Sequence, residues 1–72
     1  MNDSIPTLDL HGIKHADVES IVEEFVCMNT GTIRIITGYS SKMKEHVNNV
    51  LLRYDMKSRP DRLTNDGALI SW

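Results

Sequence analysis

Thr32-Ile33-Arg34-Ile35-Ile36-Thr37 lies between two stretches of helical periodicity, and that position constrains the fold more than any other feature of the chain. The segment is short and rich in β-branched residues, so it reads as a buried strand and not a helix. Upstream, from about His15 to Met28, Val18, Ile21, Val22, Phe25 and Met28 recur at helical spacing, with Glu19, Glu23 and Glu24 on the solvent side. Upstream again, Thr7-Leu8-Asp9-Leu10 alternates in the manner of a strand. A strand, a helix and a strand in succession imply a parallel pair with a right-handed crossover.

Downstream, from about Lys42 to Tyr54, Met43, Val47, Val50, Leu51 and Tyr54 form one apolar face, and Ser41 can cap the first amides. Met56-Lys57-Ser58-Arg59 reads as a strand that ends near Pro60, Asn65-Asp66-Gly67 as a turn, and Ala68-Leu69-Ile70-Ser71-Trp72 as an apolar closing strand. The expectation is a βαβαββ order in a single α/β domain over residues 1–72. Its two helices pack on one face of a four-stranded mixed sheet, making a two-layer sandwich. A chain of this size buries only about 60% of the surface it exposes when unfolded, so the core has to be efficient.

The longest apolar runs are four or five residues, against roughly 20 for a membrane span, and the first residues lack the blocks of a signal peptide. No membrane partner and a cytoplasmic location are therefore expected. Cys27 is the single cysteine and falls inside the first helical pattern, where packing is the expected role.

Both parallel strands should end on the same edge of the sheet, the usual place for chemistry in α/β folds. The first brings Asp9, His11 and Gly12, with Gly12 permitting a sharp bend; the second brings Thr37, Gly38, Tyr39 and Ser40. The second turn opens a helix whose free amides and dipole suit a phosphate, and Lys42 and Lys44 follow at once. Tyr39, at the tip of that turn, offers a surface on which a single-stranded base can stack. Arg34 alternates with Ile33 and Ile35 and so belongs to the other face of its strand.

The formal charge of −2 argues against bulk positive potential as a grip on nucleic acid, but the charges are unevenly placed. Residues 1–30 hold six acids and one base, whereas residues 31–62 hold seven bases and three acids, so the second half is the side for a polyanion.

Leu8-Asp9-Leu10-His11-Gly12 resembles the LDLHG motif of the Smr (small MutS-related) domain family. Ile35-Ile36-Thr37-Gly38 matches the first half of that family's [H/T]GxG turn, and Asp66-Gly67-Ala68-Leu69-Ile70-Ser71-Trp72 is similar to its last segment. The resemblance runs over nearly the whole chain. It implies a nucleic-acid function: endonucleolytic cleavage of RNA, including messenger RNA on ribosomes, or nicking of DNA. It also implies an active edge built here from Asp9, His11, Thr37 and Gly38. The chain departs from the family pattern at Ser40, where the turn's last glycine is expected.

The chemistry can be stated without the family. Imidazole is the side chain whose charge changes nearest neutral pH, so His11 can take the proton of a ribose 2′-hydroxyl or give one to a leaving oxygen. Asp9 can orient that imidazole or hold water or a metal, Mg²⁺ being the cofactor to test. His11 and His15 straddle Gly12 and so do not form a helical zinc pair. Two classes result. One is an endonuclease acting on RNA, or else DNA, through Asp9 and His11. The other is a non-catalytic module that docks on nucleic acid, a ribosome or a protein. In both, Gly12, Thr37, Gly38, Tyr39, Ser40, Lys42 and Lys44 form the binding edge.

Overall fold

A computed structural model describes residues 5–61 and 67–72. The elements are β1 (Thr7–Asp9), α1 (His15–Met28), β2 (Ile33–Ile36), α2 (Ser41–Arg53), β3 (Ser58–Pro60) and β4 (Ala68–Ser71). The sheet order is β1-β2-β4-β3. β1 and β2 are parallel, with Leu8 beside Ile35, while β2–β4 and β4–β3 are antiparallel. This is the expected two-layer α/β sandwich, with two helices on a four-stranded mixed sheet. Of the expected Asn65-Asp66-Gly67 turn, only Gly67 lies within the described residues.

The pleat sorts the strands into two faces. Ile33 and Ile35 of β2 and Leu69 of β4 turn to the helices and meet Val18 and Val22 of α1 and Met43, Val47, Val50 and Leu51 of α2. Ile21 and Phe25 pack against this core half-buried. Two ends of the predicted stripes leave it: Met28 is 74% exposed and Tyr54 38%. β4 lies between β2 and β3, and all four of its side chains are buried. On the sheet's other face, Arg34 is held by Asp61, whose carboxylate accepts from its Nε at 2.8 Å. That pairing leaves Arg34 a structural residue.

Pro60 is tolerated in β3 because β3 is the sheet's edge and because of the register. The main-chain bonds exchanged by Lys57 with Trp72, and donated by the Asp61 amide to Ala68, put the 60–69 pair where an antiparallel ladder makes no bond.

The two helices are joined by a polar seam that periodicity had assigned to solvent. Glu19 accepts from the Arg53 guanidinium at 2.6 Å and lies 3.0 Å from His46 Nδ1, and Asn49 also donates to it. The hydrogen bonds from His46 and Asn49, together with the positive charge of Arg53, lower the Glu19 pKa below the ordinary carboxylate value. Further along, the Tyr54 hydroxyl donates to Glu23, and the Cys27 thiol lies 3.5 Å from the same hydroxyl. Cys27 is exposed and belongs to this seam. The acidic side of α1 is thus partly an interhelical contact, worth little per exposed pair but directional as a set.

Candidate functional site

Because β1 and β2 are parallel, both strands deliver their C-terminal ends to one edge. There the two turns face a common cavity of about 220 Å³, lined by Asp9, Leu10, His11, Gly12, Ile36, Thr37, Gly38 and Met43. Five of the nine residues expected at the site, two from the acid–imidazole pair and three from the turns, meet in this cavity. Met43, which sequence reasoning used only as a core residue, lines it from the first turn of α2.

The first turn is built by its own main chain. The Leu10 amide continues the ladder to Ile36 O, and the Ile13 amide then closes back on Leu10 O. Gly12 sits inside this turn at φ +79°, a conformation costly for any residue with a Cβ. Asp9 and His11 are two apart, but their contact is not between side chains. The Asp9 carboxylate accepts from the His11 main-chain amide at 2.9 Å, fixing the turn as an Asx-type bond does. The His11 ring is exposed and has no hydrogen-bond or ionic partner among the described residues. It is positioned by its backbone and free to meet a ligand.

In the second turn, the amides of the turn and those of the helix it opens have different fates. The amides of both Thr37 and Gly38 donate to the Gly67 carbonyl, at 3.0 and 2.8 Å, so neither is directed at an anion. Thr37 is buried and its hydroxyl donates to Gly38 O, while Gly38 takes φ +69°. The amides left for an anion are those heading α2, Ser41 and Lys42, which have no partner within the helix. The first turn of α2 contains no acid, whereas α1 has Asp17 in that position. Gly67 is the residue that sequence reasoning missed. The Gly-Ala step of the closing segment was its only signal, and its role depends on β4 pairing with β2.

Ser40 caps α2: its Oγ accepts from the Met43 amide at 3.1 Å, with the backbone at φ −74°. The expected cap, Ser41, is instead the first helical residue. At φ −74° the position does not require glycine, so the departure from the [H/T]GxG pattern leaves the backbone path unstrained and adds a cap. Ser40→Ala should cost about 1 kcal/mol, and Ser40→Gly only a few tenths, in urea unfolding. Equal, larger losses for both variants would show that Ser40 does more than cap.

Tyr39 is 71% exposed at the tip of this turn, as a stacking platform requires, and Lys42 is exposed beside it. Lys44 is half-buried and lines a neighbouring groove, not this cavity. Among the described residues, no three His, Cys, Asp or Glu side chains gather into a metal-binding cluster. Magnesium keeps most of its waters and needs only one or two carboxylates. Asp9, the one carboxylate lining the cavity among the described residues, has its second oxygen available for such a role.

No helix among the described residues is long and apolar enough to cross a membrane. No protein-family model, curated protein or solved structure matched the chain.

Proposed function

We propose that this chain is an Smr-like RNA endonuclease whose cavity between the β1 and β2 turns holds a phosphodiester of single-stranded RNA. The observation that carries the reading is the meeting in one cavity of Asp9, His11 and Gly12 with Thr37 and Gly38, two motifs about 25 residues apart in sequence. His11 takes the proton of the ribose 2′-hydroxyl; that oxygen attacks the adjacent phosphorus, and the bond to the 5′-oxygen breaks. The departing oxygen takes a proton from water, leaving a 2′,3′-cyclic phosphate. The α2 amides of Ser41 and Lys42, with the Lys42 ammonium, stabilise the charge on the phosphoryl oxygens. Asp9 acts as a positioning residue through the His11 backbone. Where magnesium binds, it would neutralise phosphate charge from the Asp9 side.

The test is incubation of pure protein with labelled single-stranded RNA, the same strand with 2′-deoxyribose throughout, and duplex DNA, each with and without magnesium. Cleavage of the ribose strand alone, ending in a cyclic phosphate, is expected. Cleavage of the deoxy strand would reject the 2′-hydroxyl as nucleophile.

The other reading, a module that binds RNA, a ribosome or a protein without cutting, is favoured by one observation. The Asp9 carboxylate and the Thr37 and Gly38 amides are all engaged within the chain. The two readings share the binding edge. Lys42→Ala should weaken RNA binding and lower the slope of log K against log salt by about one phosphate contact. A salt slope identical to the parent's would remove Lys42 from the edge.

A further inference from the structure

Beside the motif cavity lies a larger groove, about 330 Å³, between the start of α2 and the β3–β4 hairpin. Thr37 lines both, so the two are neighbours with that residue between them. The groove's floor is Leu69 with Pro60, and its walls carry Lys44 and Asn48 from one side and Ser58 from the other. The Ser58 hydroxyl lies 3.5 Å from the Asn48 carbonyl oxygen, which leaves the Asn48 amide hydrogens directed elsewhere. Two cations, Lys44 and Arg59, line the groove. Lys44 is half-buried and has no ionic partner among the described residues.

We infer that this groove is a nucleobase subsite, taking one unstacked base of the strand whose phosphodiester lies in the motif cavity. The inference rests on the proposed function and names where its substrate continues. Three features select this occupant. An apolar floor under a rim of amide and hydroxyl groups matches a flat heteroaromatic ring with hydrogen-bonding edges. A volume at the lower end of the roughly 300–1,000 Å³ typical of small-molecule sites accommodates one nucleoside. Lys44 and Arg59, which both line the groove, complement the charge of the phosphate that must link base and scissile bond. A base in this groove is out of the stack, so the subsite accepts single strands and rejects duplex.

The experiment uses a single-stranded RNA octamer and a series in which one abasic nucleotide is moved along it, with anisotropy for affinity and amide shifts for location. Asn48 is exposed, so Asn48→Trp fills the groove without disturbing the core, and Lys44→Ala serves as a second variant. At one position the abasic nucleotide should weaken binding to the parent roughly tenfold. It should abolish the shifts of Asn48, Ser58 and Leu69 while those of Gly12 and Gly38 persist. In Asn48→Trp the intact octamer should bind with the weakened affinity, and the abasic penalty should vanish. Shifts at Gly12 and Gly38 with Asn48, Ser58 and Leu69 unmoved overturn the subsite and leave the proposed function standing. Shifts confined to the groove overturn the phosphodiester cavity and the adjacency built on it. No shift at either place overturns both.

Discussion

His11→Ala should lower the rate of RNA cleavage by roughly 10²–10⁴-fold, the usual size of a general acid–base contribution. Binding should scarcely change. The separation is expected from the structure, because the ring is exposed and makes no bond among the described residues, and surface substitutions of that kind usually stay within about 0.5 kcal/mol in stability. The site's backbone does not depend on the imidazole either, since Asp9 bonds the His11 main-chain amide, which alanine retains. Asp9→Asn is the companion variant. It keeps an acceptor for that amide and removes the charge, so a loss of rate with an unchanged melt would assign the effect to the carboxylate's charge. Rates should be measured in single turnover with parent, His11→Ala and Asp9→Asn on the same labelled strand. If the parent binds RNA and cuts none, the non-catalytic reading takes over. Ser40→Gly then tests for a lapsed nuclease at little cost in stability.

Leu51→Ala carries the second large effect, a loss of about 2–5 kcal/mol of stability. The side chain is 2% exposed, on the face of α2 that meets the sheet, and truncation leaves a cavity that a two-layer domain cannot collapse around freely. A domain of this length holds roughly 4–11 kcal/mol in all, so the variant loses a large share of it. Phe25→Ala should cost less than Leu51→Ala, because Phe25 is only half-buried where it packs on the core. Urea titrations should show the midpoint falling with the slope unchanged. A midpoint within experimental error of the parent's would show that α2 does not seat on the sheet through Leu51.

The parts of the fold legible in the sequence are those set by local periodicity. The stripes from Val18 to Val22 and from Met43 to Leu51 predict the buried faces, and the β-branched run Ile33–Ile36 predicts the strand between the helices. From these the parallel pairing follows, and with it the meeting of His11 with Thr37 and Gly38 at one edge. What the sequence hides depends on pairs far apart along the chain. Glu19 looks solvated until α2 brings His46 and Arg53 against it, and Arg34 looks available until Asp61 arrives 27 residues later to neutralise it. Ser40 and Ser41 are chemically equal candidates for the cap, and only the backbone angles where the helix begins decide between them. The same holds for the turn amides. Nothing near Thr37 in sequence reveals that its N–H and that of Gly38 point to Gly67.

That last arrangement sets the order in which the site can come into being. A growing chain that has reached residue 53 already carries both motifs and both helices, yet the carbonyl that orients the second turn belongs to residue 67. The strand starting just beyond it must also slot between two others, so the pairing spans a long loop and its entropy cost falls late in folding. Until then the Thr37 and Gly38 amides lack the carbonyl that holds them, and the second turn lacks its tether. An unfinished chain would therefore bear every residue of the proposed nuclease while lacking its geometry, and the capacity to cut would appear together with the completed sheet.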